Sequence, residues 1–352
     1  MLTTLEISGF RCLKELRVEP LTRVNLFVGK NGSGKTSVLE AAEILTTGRL
    51  DRLIGGAVRR DELVVANGNG KGEFAKHTID PSHLFWGRRL NEGARFELRG
   101  HSGADPSPLE VRCEVELKAA FEMKGEWPVP VSSLRFESYR YAPNSAGRLT
   151  LSPQNGVLPP PQHREAEGET PVNFLRPEDH PSDLRPLWER IGLTAKEDEV
   201  LAAVRILEPP RVERLAFFGE GGRNVQVRLT GSGRVPIGSL GGGLGRLLAV
   251  STHLVSAESG TLLIDEIDTG LHFSVMTDMW RLVIETAKRH EVQVFATTHS
   301  LDCVRALAWV HEENPELASE VLLHRLERGS PNTVVYNLDE IAIAERSFIE
   351  VR

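Results

Sequence analysis

The sequence GKNGSGKT at residues 29–36 follows an apolar run, VNLFV, at residues 24–28. The eight residues fit the pattern GxxxxGK[ST], in which glycines let backbone N–H groups turn toward phosphate oxygens. The apolar run predicts a buried strand, and residues 37–45 are compatible with a helix. In this strand–loop–helix unit we expect Lys35 to reach the β- and γ-phosphates of a nucleotide and Thr36 to ligate Mg²⁺.

A second candidate for phosphate chemistry is LLIDE at residues 262–266. An apolar strand that ends in two carboxylates presents both of them at the C-terminal edge of a sheet. We expect Asp265 to hold Mg²⁺ through water and Glu266 to orient and polarise an attacking water molecule. Such a pattern alone is often a solvated strand end, but the phosphate loop earlier in the chain favours the catalytic interpretation.

Two further segments fit the same chemistry. VFATTHS at residues 294–300 predicts a parallel strand that delivers His299 to the phosphate edge, where it would sense the γ-phosphate. GSLGGGLGR at residues 238–246 places Ser239 in a glycine-rich turn before an apolar helix. The free N–H groups and the positive dipole end of that helix suit an anion.

Composition excludes several classes of protein. The chain has 352 residues and a formal net charge of −7, from 49 acidic and 42 basic residues. This length suits one large domain with insertions or two domains, and the acidic balance argues against nucleic-acid binding over the whole surface. Three isolated cysteines predict neither a disulfide framework nor a zinc site. Without an apolar run of ~20 residues or a signal peptide, we expect a cytoplasmic protein with no membrane partner.

The pattern of elements is mixed α/β. Alternating residues predict strands at the N-terminus and antiparallel strands in the first half, at residues 2–7, 15–19, 95–99 and 109–118. The last third alternates between helices and strands, which predicts a mostly parallel sheet covered by helices. The helices are expected at 244–257, 273–289 and 300–308, and the strands at 261–265, 292–297, 321–326 and 333–337.

The region between these parts is less regular. Prolines crowd residues 153–186 and exclude long helices there, and residues 67–72 predict a loop. Thr194 and Glu197 then predict a capping box at the start of a helix that stops before Pro209. Two strands flank a glycine-rich turn and predict a hairpin, at residues 212–218 and 224–230.

The four motifs, in this order, resemble those of the ATP-binding-cassette (ABC) ATPase superfamily, and more narrowly the branch that contains the RecF, SMC and OLD proteins. The opening LEISGFRCL at residues 5–13 looks like the first strand of that branch with its Phe-Arg step, and Asn31 also suits it. The resemblance covers residues 1–45 and 235–305. It implies an α/β P-loop NTPase fold, an ABC-ATPase head with a mostly parallel core sheet, an antiparallel β region and a helical insert.

The resemblance also implies that ATP closes a head-to-head homodimer with two composite sites. Glu266 and His299 would be catalytic, and Thr36 and Asp265 would bind Mg²⁺. Ser239 and Gly241 would bind the γ-phosphate held by the partner subunit, and Arg11 matches a basic residue near the nucleotide in this branch. The expected ATP-binding residues are Arg11, Gly29, Asn31, Gly32, Ser33, Gly34, Lys35, Thr36, Ser239 and Gly241.

The chain departs from the ABC pattern at three positions. Ser239 is followed by Leu240 and three glycines instead of the usual Ser-Gly-Gly-Gln, which fits the OLD-like variant better than a transporter. His272 stands where the family often has Asp. Gln154, in the Pro-rich region, is a weak candidate for the glutamine of the Q-loop.

SMC proteins place coiled-coil arms between the two halves of their heads, but residues 37–238 contain no sustained heptads. Some OLD-type nucleases add a TOPRIM domain, and the 53 residues after His299 are too few for one. We therefore interpret residues 1–352 as one OLD-like ATPase head. Its expected parts are an N-terminal lobe at 1–158, an inserted subdomain at 159–236 and a C-terminal lobe at 237–352.

Such a head would drive a DNA-related effector in DNA repair, DNA maintenance or anti-phage defence, with DNA or a separately encoded nuclease as its partner. The first alternative is the ATPase subunit of a membrane transporter. The second is an ATP-dependent structural switch with little turnover. A basic run after the P-loop helix is a candidate strip for DNA phosphates, formed by Arg49, Arg52, Arg59 and Arg60. The alternative is a solvated helix on which these arginines are incidental.

Overall fold

The computed structural model describes residues 1–64, 78–91, 93–103, 105–124, 127–140, 142–151, 170–206, 212–218, 224–231 and 233–352. The β-strands in these ranges are β1 Leu2–Phe10, β2 Leu13–Val18, β3 Val24–Val28, β4 Leu63–Val64, β5 Thr78–Ile79, β6 Arg95–Ser102, β7 Asp105–Lys124, β8 Trp127–Arg140, β9 Ala142–Leu151, β10 Val172–Leu175, β11 Val212–Phe218, β12 Asn224–Leu229, β13 Gly233–Pro236, β14 Thr261–Ile264, β15 Gln293–Thr297, β16 Val321–Arg325 and β17 Val334–Tyr336. The helices are α1 Lys35–Thr47, α2 Leu50–Arg59, α3 Arg185–Ile191, α4 Ala195–Val204, α5 Gly242–Ser256, α6 Met276–Arg289, α7 Leu301–Glu313 and α8 Leu338–Arg346.

The core sheet has the strand order β10-β14-β15-β3-β16-β17. Its first five strands run parallel, and β17 pairs antiparallel with β16. Strand β3 is buried along its whole length, because Val24, Leu26 and Val28 pack into the hydrophobic cluster on one face and Phe27 into the cluster on the other. Burial on both faces explains why its sequence is a continuous apolar run. The predicted parallel core sheet is confirmed.

A second six-stranded sheet, of order β2-β1-β6-β7-β8-β9, is antiparallel throughout. It covers one face of the core sheet and α1, with buried aromatic side chains between the layers. The buried side chain of Gln293 joins the two sheets, because it accepts from the Leu2 N–H and donates to the Leu2 carbonyl at 2.7 Å each. The predicted antiparallel region is thus present and docked directly on the core.

Helices α3 to α8 pack on the opposite face of the core sheet, where they share one large hydrophobic cluster. Helix α7 runs five residues beyond its predicted end, because its apolar face continues through Val310. Helix α6 begins later than predicted, since residues Phe273–Val275 form a 3-10 turn ahead of it. None of the helices in the described ranges is long and apolar enough to cross a membrane.

The Pro-rich region contributes a strand that its composition does not predict. Strand β10 pairs in parallel with β14 at the edge of the core sheet, and the Pro171 carbonyl accepts from the N–H of Thr261. Beyond it, the 3-10 turn Pro181–Leu184 leads into α3. The predicted loop at residues 67–72, and Gln154, lie outside the described residues.

The segment between the Pro-rich region and α5 contains helices and a small sheet. Thr194 is the N-cap of α4, as predicted, and accepts from the N–H of Lys196. Glu197 does not complete the predicted capping box, since its carboxylate accepts instead from the N–H of Leu193 at 2.6 Å. Helix α4 ends before Pro209, and β11 pairs antiparallel with β12 as the predicted hairpin requires. The boundaries of the two lobes and of the inserted subdomain stay a prediction.

Candidate nucleotide-binding site

The phosphate loop joins β3 to α1 through two positions that require glycine. Gly29 has φ 142°, and a Cβ there would lie 2.5 Å from the carbonyl oxygen of Leu326. Gly34, the N-cap of α1, has φ 104°, and its Cβ would lie 2.6 Å from the side chain of Leu13. Both values of φ are in the left-handed region that favours glycine. The loop therefore leaves the first N–H groups of α1 free for an anion.

The other side chains of the loop suit a phosphate cradle. The Ser33 hydroxyl is buried and has no hydrogen-bond partner among the described residues, whereas Asn31 and Gly32 are exposed. The Lys35 ammonium is buried and donates to the carbonyl oxygens of Gly29 and Lys30, at 2.7 and 3.1 Å. Phosphate oxygens accept hydrogen bonds from ammonium and hydroxyl groups, and this loop supplies one of each.

Burial lowers the pKa of Lys35, and the negative charges of Asp265 and Glu266 oppose that shift. The two carboxylates therefore lie close enough to the ammonium to act on it, although Lys35 is far from both of them in sequence. This electrostatic link is the first evidence that the two predicted motifs meet.

Thr36 and Asp265 are in direct contact. The Thr36 hydroxyl donates to Asp265 Oδ2 at 2.9 Å, and the Thr297 hydroxyl donates to Asp265 Oδ1 at 2.5 Å. The predicted pair of Mg²⁺ ligands is thus brought together by the parallel order of β3, β15 and β14. No group of three or more His, Cys, Asp or Glu side chains in the described part of the chain could hold a metal ion by itself. Phosphate oxygens and water would complete the coordination of Mg²⁺ at Thr36 and Asp265.

Glu266 follows β14 in a left-handed conformation, with φ 47°. Its side chain is exposed at the sheet edge and accepts from the Thr269 hydroxyl at 3.3 Å. Its backbone N–H donates to the Thr297 hydroxyl at 2.8 Å. Asp265 therefore turns toward the P-loop, while Glu266 faces the open side of the edge, as expected for a group that contacts water.

His299 lies just beyond β15, at the same edge of the sheet, and is exposed. Its carbonyl accepts from the Arg352 guanidinium at 2.7 Å, and Arg352 also pairs with Glu350. Lys30 of the phosphate loop contributes to lowering the pKa of Glu350, behind the larger effect of Arg352. Arg352 thus contacts the backbone of His299, and Glu350 lies close enough to Lys30 for their charges to interact.

The glycine-rich segment at residues 238–246, here called the signature segment, forms a turn and the start of α5. Ser239 lies in the 3-10 turn Ile237–Leu240, and Gly241, with φ 92°, is the N-cap of α5. Both residues are exposed, and the neighbouring Gly242 lies next to Gly270 rather than next to the P-loop. In the described part of the chain, no hydrogen bond joins Ser239 or Gly241 to the phosphate loop of the same chain.

Arg246 joins helix α5 to the sheet edge that carries Asp265 and Glu266. The buried guanidinium donates to the carbonyl oxygens of Asp265 and Glu266 at 2.7 Å each, and to that of Arg176 at 2.9 Å. Burial lowers the pKa of Arg246, and nearby carboxylates, first Asp179, oppose the shift. This link fixes the helix that carries the signature segment to the turn that carries both carboxylates.

Arg11 occupies a left-handed position, with φ 52°, and lines a cavity of ≈ 360 Å³ beside Gly32 and Ser37 of the P-loop region. Its guanidinium is ion-paired to Glu40 at 2.6 Å and to Glu62 at 2.7 Å. It therefore lies next to the phosphate loop with its charge already neutralised by protein carboxylates. A direct contact with the nucleotide stays a prediction.

Each arginine of the basic run after α1 is ion-paired, and a role of the run in binding DNA stays a prediction. Arg60 pairs with the buried Glu40, and Arg52 and Arg59 pair with the buried Glu43. Burial raises the pKa of Glu43, and Arg59 is the strongest of the charges that oppose this. Arg49 pairs with Asp51. These arginines compensate carboxylates between α1 and α2, so the run has a structural role that its spacing does not reveal.

Sequence reasoning missed Thr297, Arg246 and Arg352 as neighbours of the site. Thr297 precedes the predicted sensor by two residues, and Arg246 belongs to the quoted glycine-rich segment, so both positions were within reach of the motifs. Arg352 carries no sequence signal of this kind. His272 caps the 3-10 turn at Phe273–Val275, where its ring nitrogen accepts from the Ser274 N–H.

The fold and the converging motifs are those of a P-loop ATPase of the ABC type. The chain belongs to the family described as "AAA domain, putative AbiEii toxin, Type IV TA system", which matches residues 24–303. Among solved structures it is similar to an Smc head bound to the C-winged helix domain of ScpA. That similarity has a TM-score of 0.53 and 15% identity, and it covers 96% of this chain and 98% of that one.

A second Smc head, with an extended coiled coil and the C-terminal domain of ScpA from Pyrococcus furiosus, gives the same TM-score of 0.53 at 13% identity, over 99% of each chain. The chain is also similar to the DNA replication and repair protein RecF of Marinomonas sp., with 58% identity over 48 residues. RecF of Thioalkalivibrio sulfidiphilus gives 48% identity over 48 residues. The match spans 14% of this chain and 13% of each RecF. The predicted α/β ABC-ATPase fold is confirmed.

Proposed function

We propose that the protein binds ATP with Mg²⁺ and hydrolyses it to ADP and phosphate. The observation that carries the proposal is the contact of Thr36 with Asp265 beside the buried ammonium of Lys35. Lys35 and the free N–H groups at the start of α1 bind and orient the phosphates. Thr36 and Asp265 would hold Mg²⁺, which when bound neutralises negative charge on the phosphate oxygens.

The exposed Glu266 carboxylate orients a water molecule and accepts its proton. The water oxygen forms a bond to the γ-phosphorus as the bond to the β–γ bridging oxygen breaks, in line with the attack. His299, at the same edge, contacts the γ-phosphate and senses its loss.

We further propose that ATP joins two copies of the chain, and that Ser239 and Gly241 of one copy bind the γ-phosphate held by the other. Their exposure supports this role, and among the described residues neither is hydrogen-bonded to the P-loop of its own chain. The dimer of an OLD-like head would drive a DNA-related effector, with DNA or a separately encoded nuclease as partner. Support for DNA comes from the similarity to RecF, a DNA replication and repair protein.

Glu266→Gln tests the catalytic assignment. The amide keeps the size of the carboxylate but cannot accept a proton at neutral pH, so kcat should fall by roughly 10²-fold or more while ATP binding persists. Turnover is measured by phosphate release and binding by calorimetry. An unchanged kcat rejects Glu266 as the base. If the wild type binds ATP but does not hydrolyse it, the alternative of an ATP-dependent structural switch with little turnover is favoured instead.

Ser239→Arg tests the dimer. In the Glu266→Gln background, sedimentation with ATP should show a dimer that the added arginine abolishes, because it places bulk and charge where the partner's phosphate docks. ATP binding by the monomer should persist, since Ser239 is exposed and, among the described residues, makes no hydrogen bond to the P-loop of its own chain. Equal dimerisation of both proteins contradicts the role of Ser239.

A further inference from the structure

Thr297 touches each of the three residues that follow β14. Its hydroxyl donates to Asp265 Oδ1 at 2.5 Å and accepts from the N–H of Glu266 at 2.8 Å. Its carbonyl accepts from the N–H of Ile267 at 3.0 Å. Thr297 is fully buried at the end of β15, the strand between β14 and β3. One residue thus holds the whole turn that carries both carboxylates.

The direction of these hydrogen bonds follows from the chemistry of the groups. A backbone N–H only donates, so the Thr297 oxygen must use a lone pair for Glu266, and its single proton is left for Asp265. The second oxygen of Asp265 accepts from Thr36. The carboxylate is therefore held by one hydroxyl from the P-loop helix and one from β15, and its orientation is fixed from both sides.

The turn needs this support because Glu266 is not glycine. A non-glycine residue with φ near +50° occupies an unfavourable region of the backbone map and persists only where surrounding contacts fix it. At Glu266, φ is 47°, and the anchored atom is the N–H of that same residue. Loss of the anchor would let the backbone relax and move the exposed carboxylate.

We infer that Thr297 is a positioning residue for hydrolysis, which holds Asp265 and Glu266 in register with each other through one hydroxyl. The inference rests on the proposed ATPase function. Thr297 is fully buried and donates its one hydroxyl proton to Asp265, so we do not place it among the residues that contact the reacting atoms. It acts through the position of the Glu266 carboxylate, and nucleotide binding by the P-loop does not depend on it.

The test compares Thr297→Val with Thr297→Ser. Valine has nearly the same shape but no hydroxyl, and it leaves the Glu266 N–H and one oxygen of Asp265 without partners. We expect kcat to fall by about 10- to 100-fold in the valine variant, as for a catalytic group displaced by about 1 Å, while the Kd for ATP changes by less than about 3-fold. Serine retains the hydroxyl and should restore kcat to within about 3-fold of wild type.

A second readout does not depend on turnover. Hydrogen exchange of the Glu266 amide, followed in the nucleotide-free protein through peptides that cover residues 262–268, should be at least about 10-fold faster in the valine variant. In the serine variant it should match wild type. Thr46→Val is the matched control, because it also removes a buried threonine hydroxyl, one that donates to the Ala42 carbonyl far along α1. It should leave both kcat and the exchange at Glu266 unchanged.

The outcomes separate this inference from the proposed function. A valine variant with wild-type exchange at Glu266, or one with faster exchange but wild-type kcat, overturns the positioning role. If the wild type itself hydrolyses no ATP, the proposed function fails, and the exchange experiment alone decides whether Thr297 holds the turn. If the valine variant does not fold, Thr297→Ala takes its place with the same expected loss of kcat and of amide protection.

Discussion

Replacement of Arg246 by methionine should destabilise the protein substantially. The guanidinium is 7% exposed and donates to three carbonyl oxygens, two of which belong to Asp265 and Glu266. A hydrogen bond to a charged group contributes about 1.5–3 kcal/mol, and burial of the charge offsets part of the sum. Methionine removes that burial cost but leaves three carbonyl oxygens without this donor. We expect a net loss of about 3 kcal/mol in the free energy of unfolding.

The assay is urea unfolding followed by circular dichroism, together with a thermal melt in which Tm should fall by about 4 °C. Arg246→Lys is the matched control, because it keeps the positive charge but loses the planar fork that reaches several carbonyl groups at once. The free energy of unfolding of the lysine variant should lie between that of the wild type and that of the methionine variant. A methionine variant that loses less than about 1 kcal/mol refutes the view that Arg246 joins α5 to the Asp-Glu turn.

The remaining predictions concern the phosphate loop and acid stability. Gly34→Ala should abolish measurable ATP binding in calorimetry, since φ 104° and a Cβ 2.6 Å from Leu13 force the loop to move; unchanged affinity would contradict the cradle geometry. Burial lowers the pKa of both His253 and His324 to about 4. Because the unfolded state binds their protons first, the free energy of unfolding should drop as pH falls from about 6.5 toward 4, by roughly 2–3 kcal/mol per histidine. His324→Gln should reduce that pH dependence in urea titrations, and an equal slope in both proteins would contradict the assignment.

The phosphate loop and the Asp-Glu strand could be predicted from sequence because their chemistry is local. GKNGSGKT contains its glycines, lysine and threonine within eight residues, and an apolar run before Asp265 marks a buried strand. The parallel order of strands then brings Thr36 to Asp265 without further information. Signals that combine residue type and short spacing survive in a single sequence.

The contacts that sequence reasoning missed depend on tertiary structure. Glu40 and Glu43 look like solvent-facing residues of a helix, and only the packing of α2 turns the arginines onto them. Strand β10 has four residues among prolines, too few for a period to emerge, and its place in the core sheet comes from its pairing with β14. Arg246 carries no pattern that shows which carbonyl groups it meets.

The central strand of the core sheet is synthesised long before the two strands that flank it. Strand β3 lies between β15 and β16, both made much later, and 229 residues separate Thr36 from Asp265. At about 5–20 residues per second, the ribosome takes roughly 10–50 s to make that stretch. Through this interval the apolar strand VNLFV lacks the neighbours that bury it, and the phosphate loop cannot meet its acidic partner. Until then the antiparallel sheet can cover only the Phe27 face of the strand, and the nucleotide site is completed only after the last third of the protein has emerged.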